Sequence, residues 1–355
     1  MRVALMTEYH HIGGGESNLL NLCEELSKSI EIVLFCDGAV YQKASELGIA
    51  CRKSDLSGKK WLRFIPFLSF PADLRKELKN FDVVHSYSLN VLSRLAFLGR
   101  PVIWTTHGFW ERPFGLRAKI INLIVDKVVA VSTDVHDICR FSSDKLSKIF
   151  LGTKMKGTQG QKRKIDPRNI TISCIGRFQR IKGQDLLLSA LIDMAKERRD
   201  INMKLHFVGG VNSDKKEDID FHGELLSIVQ TEKYENLEVV FDGFQADISS
   251  FLTESDFIVV PSRYESFSMV AIEALAYGKA VICPNIGGPK DIINAENIGI
   301  LFTPEDSTAL KKSILEMIEN FEMFDPEQAR IRAEDFSIVR QAREHLTIYQ
   351  EACNE

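Results

Sequence analysis

Arg2 to Gly38 reads RVALMTEYHHIGGGESNLLNLCEELSKSIEIVLFCDG, and its two ends decide the fold class. RVALM and EIVLFC are apolar at nearly every position. Runs this continuous are too hydrophobic for a strand with one wet face and suit a parallel sheet covered on both sides. Between them, ESNLLNLCEELSKS repeats its apolar residues at helical spacing, which makes the whole stretch a strand, crossover helix, strand unit. The alternation continues through DVVHSYS (82–88), PVIWTTHG (101–108) and KVVAVS (127–132). It restarts with ITISCIGR (170–177), MKLHFVGG (203–210), LEVVFDGF (237–244), DFIVVPS (256–262) and AVICPN (280–285).

The expected fold is therefore α/β, with two doubly wound, Rossmann-like domains. A chain of 355 residues exceeds what one core usually serves. The stretch IFLGTKMKGTQGQKRKIDPRN (149–169) has no sustained period and divides it. The expected boundaries are a first domain at 1–155, a linker at 156–168, a second domain at 169–330, and a helical segment at 331–355 that is a candidate to pack back on the first.

Composition excludes several classes. With 45% hydrophobic residues and only 10 Pro, the chain is neither disordered nor collagen-like. Charge-free stretches such as Pro101–Trp110 are about half of what a membrane span needs, so no transmembrane helix is expected. The opening MRVALMTEYHH has too short an apolar run for a secretory signal, which points to the cytoplasm. The 7 Cys show no C-x-x-C spacing and read as reduced thiols. Residues 1–164 carry 25 Lys+Arg against 16 Asp+Glu, a balance of +9, and the remainder carries 20 against 33, a balance of −13. A basic half suits an anionic partner such as a phospholipid surface, a lipid diphosphate or a nucleic acid. Nucleic acid is set aside for want of an aromatic platform or recognisable module.

Two constellations carry chemistry. In DFIVVPSRYESFSMVAIEALAYG (256–278) a buried strand stops at Pro261, and a loop carries Arg263, Tyr264 and Glu265. Ser266 or Ser268 then caps a helix, with Glu273 about two turns inside it. The E-x7-E spacing lets both carboxylates lie at the strand's carboxyl end. The amides of Ser266, Phe267, Ser268 and Met269 offer a seat for an anion or sugar hydroxyls, and each carboxylate suits a vicinal diol. The competing reading makes Glu265 a capping residue and Glu273 a solvated one. In IGRFQRIKGQDLLLSAL (175–191), Arg177 and Lys182 flank a strand-to-helix turn and can clamp a diphosphate, unless they are plain surface cations.

Weaker signals accompany these. Gly13, Gly14 and Gly15 open a helix with exposed amides, but Asn18 stands where a dinucleotide fingerprint needs Gly or Ala, and no Walker lysine follows. His107 ends a buried strand, either facing a cleft or closing the core edge. Asp218 and Asp220 form a D-x-D inside a charged segment that opens a helix, and no metal is expected there.

In order along the chain, the G-G-x-E opening (Gly13, Gly14, Glu16), FDVVHSYS, TTHG, VVAVS, G-R-x4-K-G, FVGG, PSRYES with E-x7-E, EALAYGKAVI, PNIGGPKDII and NIGILF resemble glycosyltransferase family 4. These are retaining GT-B enzymes whose two Rossmann-like domains face each other across a cleft and use nucleotide sugars. The resemblance implies a nucleotide-sugar donor held by Arg177 and Lys182 at its diphosphate, by Glu273 at its ribose, and by Glu265 with the amides of Ser266–Met269 at its hexose. It places His107 on the donor sugar and Gly13 and Gly14 on the phosphate side, and makes Glu265, His107, Arg177 and Lys182 the catalytic set. It implies no metal and no cofactor, and an acceptor that is a glycan or is lipid-linked, in cell-surface polysaccharide synthesis. Three departures from the family pattern stand out. FLGTKMKG replaces the usual Asn-Gly-Val/Ile-Asp segment, Asp291 stands for Glu, and Ser266 and Ser268 replace the glycines of E-G-F-G. The stretch Lys59–Lys79 mixes cations with Trp61, Phe64, Phe67 and Phe70, a composition suited to peripheral contact with an anionic membrane. The runner-up is a sugar-nucleotide-binding pseudo-transferase that partners an active enzyme.

Overall fold

The computed structural model describes residues 1–56, 72–108, 111, 115–155 and 165–354. Most of the expected linker, and the membrane-suited stretch from Lys59 through Phe70, lie outside the described residues. The chain forms two compact units, Met1–Lys154 with Phe336–Glu355, and Met155–Asp335.

The first unit runs β1 (Arg2–Met6), α1 (Gly14–Leu26), β2 (Glu31–Cys36), α2 (Gly38–Glu46), β3 (Cys51–Lys53), α3 (Ala72–Leu78), β4 (Val83–Ser86), α4 (Leu89–Leu92), β5 (Val102–Thr106), α5 (Gly115–Ile124), β6 (Lys127–Ala130), α6 (Thr133–Ile138) and β7 (Leu146–Lys148). Its strands lie in the order β3-β2-β1-β4-β5-β6-β7, all parallel. The continuous apolar runs have the physical cause expected of them. Val3 and Leu5 enter one core and Ala4 and Met6 another, one on each face of the sheet.

The second unit runs β8 (Asn169–Ile175), α7 (Gln184–Glu197), β9 (Asn202–Val208), α8 (Lys216–Thr231), β10 (Leu237–Gly243), α9 (Ser249–Glu254), β11 (Phe257–Val259), α10 (Met269–Ala276), β12 (Ala280–Pro284), α11 (Gly288–Ile292), β13 (Gly299–Phe302), α12 (Ser307–Glu319) and α13 (Pro326–Glu334). Its sheet order, β10-β9-β8-β11-β12-β13, is again wholly parallel. In each unit the order reverses beside the first strand. The switch points therefore lie at the carboxyl ends of β1 and β4 and of β8 and β11, where open α/β sheets bind ligands.

Helix α13 stays with the second unit. The Arg332 guanidinium donates to the Ile292 carbonyl at 2.9 Å and also to the Asp291 carbonyl. The last helix, α14 (Ile338–Asn354), belongs to the first unit and adds Ile338, Ala342, Ile348 and Tyr349 to the core that α1 also fills. Asn18 explains the failed dinucleotide fingerprint. Fully buried, it donates to the Gly152 carbonyl at 2.7 Å and to Gln341 Oε1 at 2.8 Å, while the Gly152 N–H donates to the same Gln341 oxygen at 2.7 Å. A glycine there would leave buried polar groups unpaired. In the same core His85 bridges Tyr349 Oη and Thr105 Oγ1, each at 2.8 Å, with the His345 ring 5.5 Å away.

Candidate active site

In the second unit, β8 ends at Ile175 and the chain turns through Gly176 and Arg177 into a short 3-10 turn, Arg180–Lys182. Gly183 follows at φ +70° and opens α7. A Cβ on Gly183 would sit 2.0 Å from the Pro261 carbonyl oxygen, so only glycine lets this turn meet the loop after β11. The contact brings the Lys182 ammonium to 2.7 Å from Glu265 Oε2, which also accepts from Ser262 Oγ at 3.2 Å. Arg263 in the same loop donates to both carboxylate oxygens of Asp185, at 2.8 and 2.7 Å. Arg177 is exposed, and among the described residues its guanidinium has no hydrogen-bond or ion-pair partner. Burial, reinforced by the Glu265 charge, pushes the Cys283 thiol well up, so it stays protonated beside the site.

The other side of the loop rests on two glycines. Gly287, at φ +62°, lies where a Cβ would be 1.7 Å from the Glu265 carbonyl oxygen, and a Cβ on Gly288 would be 2.3 Å from Phe267 Cα. The Gly288 N–H donates to the Ser266 carbonyl at 3.1 Å. The loop then enters α10 through Ser268, whose Oγ accepts from the Ala271 N–H at 3.4 Å. The helix's other first-turn N–H groups have no acceptor within the helix. Glu273 follows one turn into α10 and is partly buried. Ser268 itself sits at φ +88°, a left-handed conformation that costs a serine on the order of 1 kcal/mol and a glycine nothing. Ser268→Gly loses only a long cap bond, so its melting temperature is expected to equal or exceed that of the unchanged chain. A loss of more than a few degrees on thermal unfolding would refute this.

The first unit holds a second group. At the α1 N-terminus Glu16 Oε2 accepts from the Gly13 N–H at 2.9 Å, the acid half of a capping box, so the G-G-x-E acid closes its own helix. A Cβ on Gly15 would lie 3.9 Å from His107 Cε1, which places the glycine turn against that imidazole. The Glu111 carboxylate accepts from the His107 backbone N–H at 2.6 Å and from Tyr9 Oη at 3.3 Å. Burial holds the His107 pKa down at about 4 and raises that of Glu111 to about 7. His107 is thus neutral at neutral pH and can donate or accept a hydrogen bond.

These shifts set a pH dependence. Burial also holds His345 at about 4, and His85 lies well below its usual 6.5. The stability these neutral imidazoles confer is complete above the unfolded value of 6.5 and is lost as the pH falls toward 4. Glu111 opposes this in part, because its contribution is present below 4.5 and lost as the pH rises through 7. Three groups outweigh one, so the melting temperature should fall on acidification from about pH 6.5 to about pH 4.5. His345 alone accounts for on the order of 3 kcal/mol of this. His345→Phe should flatten the acid limb, and an unchanged limb would exclude the assignment.

A family model described as glycosyl transferases group 1 matches residues 155–333, half of the chain, and one described as Glycosyltransferase Family 4 matches 12–143. The chain belongs to the glycosyl transferases group 1 family. Among curated relatives it is 28% identical over 193 residues to a D-inositol 3-phosphate glycosyltransferase of Paenarthrobacter aurescens, covering 54% of this chain and 46% of that protein. It is 32% identical over 149 residues to an uncharacterized glycosyltransferase of Methanocaldococcus jannaschii, covering 42% and 38%. A Klebsiella pneumoniae protein described as an uncharacterized 41.2 kDa protein in the cps region is 22% identical over 337 residues, covering 83% and 85%. The chain thus spans less than half the length of the first two. Anabaena HepE, solved in complex with UDP, superposes with a TM-score of 0.81 at 20% identity over 99% of this chain and 100% of that one. A glycosyltransferase of Rickettsia africae gives 0.81 at 22%, over 99% and 98%. These likenesses are of fold, and with the two parallel sheets they make this member of the glycosyl transferases group 1 family a GT-B protein of two Rossmann-like domains.

Of the residues singled out in the sequence, Lys182, Glu265 and the Ser266–Met269 segment come together in the second unit, with Arg177 and Glu273 on the turn and helix that border them. Gly13, Gly14 and His107 form their own group in the first. Sequence reasoning missed Asp185, Ser262, Gly287 and Glu111 as parts of these groups. The doublet in PNIGGPKDII was the one visible signal, since adjacent glycines mark close backbone approach. Asp218 is a nearly buried first-turn residue of α8 that accepts from Gln179 Nε2 at 3.1 Å. Among the described residues no three His, Cys, Asp or Glu side chains form a metal-binding group. Among them also, no helix is long and apolar enough to cross a membrane.

Proposed function

We propose that this glycosyltransferase moves a hexosyl group from a nucleotide diphosphate sugar to an acceptor hydroxyl, with retention at the anomeric carbon and without a metal. The observation that carries this is the Lys182–Glu265 pair at 2.7 Å at the carboxyl edge of the second sheet, with an exposed Arg177 on the same turn. A diphosphate needs cations and a hexose ring needs a carboxylate, and this edge offers both within one loop contact. Lys182 and Arg177 would meet the charge that develops on the leaving diphosphate, in a transition state of oxocarbenium character. Glu265, with the first-turn amides of α10, would grip the hexose, and Glu273 the ribose. The leaving phosphate oxygen can take the acceptor proton, so no separate base is needed. His107, neutral beside the α1 glycine turn, would hydrogen-bond the donor sugar, and Gly13 and Gly14 would flank its phosphates. HepE has been solved with UDP and with UDP-glucose, which makes UDP-glucose the first donor to try. The reading is tested by screening nucleotide sugars for release of free nucleoside diphosphate, then supplying acceptor extracts. Binding without turnover for every donor would sink it.

For the acceptor we propose a glycan or lipid-linked glycan reached at an anionic membrane surface, supported by the basic first half and by the composition of Lys59–Lys79. The chain should co-sediment with anionic liposomes and lose that binding on charge reversal at Lys59 and Lys60. Equal sedimentation of both forms would exclude this surface.

A further inference from the structure

We infer that Asp185 and Arg263 are positioning residues that hold the Lys182 ammonium against the Glu265 carboxylate, a role that rests on the donor reading above. Lys182 and Glu265 are 83 residues apart, one at the end of a single 3-10 turn and the other in a loop, and such short segments do not by themselves fix a side chain to a fraction of an ångström. Arg263 supplies the tie. Its N–H donates to the Ile181 carbonyl at 2.8 Å, which sets the loop in register with the turn one residue before Lys182. Its guanidinium donates to both oxygens of Asp185 and, at 2.6 Å, to the Arg180 carbonyl. One planar fork therefore grips the turn and the first residues of α7 together, two residues from Glu265. Asp185 is anchored on a 14-residue helix, in the first turn where a negative charge also suits the helix dipole. The two side chains are only 24% and 23% exposed, so the pair is shielded beyond an ordinary surface bridge. A lysine carries the charge but not the two-pronged geometry, and cannot replace the fork.

The full chain is examined as Arg263→Lys, Arg263→Ala, Asp185→Asn and the exchanged double variant Asp185→Arg with Arg263→Asp. Crystal structures without ligand should show the Lys182–Glu265 pair parted in Arg263→Ala, and a pair still closed would overturn the inference. Calorimetry with UDP-glucose and with UMP gives the second readout. UDP-glucose affinity should fall by about 10-fold or more in Arg263→Lys and Asp185→Asn, with UMP affinity kept within about twofold. The exchanged pair should recover part of the loss. A lowered melting temperature with unchanged UDP-glucose affinity would mean a merely structural bridge and would overturn the positioning role. If the unchanged chain binds no UDP-glucose, the donor found by screening takes its place; if no nucleotide sugar binds, the donor reading fails and the positioning role with it, while the ligand-free structures still decide separately whether the clamp holds the pair.

Discussion

Lys182→Ala lowers turnover by on the order of 100-fold or more, and Glu273→Ala does so as well. The lysine change acts twice. On the proposed reading it removes a cation from the departing diphosphate, and it strips Glu265, whose side chain is only 12% exposed, of the ammonium 2.7 Å away. A carboxylate left partly buried without its partner turns toward water or another donor, and the hexose grip moves with it. On the proposed reading Glu273 grips the ribose, from a helix whose backbone the change leaves intact. Its loss would therefore let the bound donor sit out of line for transfer, which lowers turnover, without disturbing the Lys182–Glu265 contact. Steady-state release of nucleoside diphosphate from the donor found by screening is the measurement. Near-normal kinetics in both variants would remove the site assignment.

Gly287→Ala has the largest expected effect on the fold of the site. The new methyl group would meet the Glu265 carbonyl oxygen at 1.7 Å, a backbone atom that cannot rotate aside, at a φ of +62° that alanine resists. Either the Glu265–Phe267 loop or the entry to α11 must shift. Overpacking of this kind together with backbone strain costs roughly 3 kcal/mol or more. For a domain of this size that lowers the melting temperature by about 6 to 12 °C. A displacement of Glu265 by about 1 Å should also cost on the order of 100-fold in kcat/KM. Thermal unfolding and donor kinetics check both halves, and a variant that melts within a degree or two of the unchanged chain would contradict the close approach. Gly183→Ala is excluded by the same geometry, at 2.0 Å from the Pro261 carbonyl.

Much of the site was legible in the chain because its residues cluster locally. Arg177 and Lys182 share one turn, and Glu265 and Glu273 share one loop and helix, so spacing alone grouped each pair. What spacing could not reveal was that Lys182 and Glu265 bond to each other, because that contact joins segments more than eighty residues apart. Asn18 shows the converse. Its side chain broke a familiar glycine pattern, which excluded a dinucleotide site, but its reason for being there lies in Gly152 and Gln341.

Two parallel sheets follow from the sequence alone, since a run such as VALM or IVLFC has no charged side chain and must be covered on both faces. The acids and cations at the strands' carboxyl ends follow from it too, because each stands just beyond an apolar run. Tertiary structure alone decided which loops touch, which side chains of α14 enter the first unit's core, and that Arg263 closes on Asp185. Periodicity records how deeply a residue is buried in its own element. A contact between distant backbones depends on how elements pack, and at Gly183 and Gly287 on a missing Cβ whose neighbour the chain does not name.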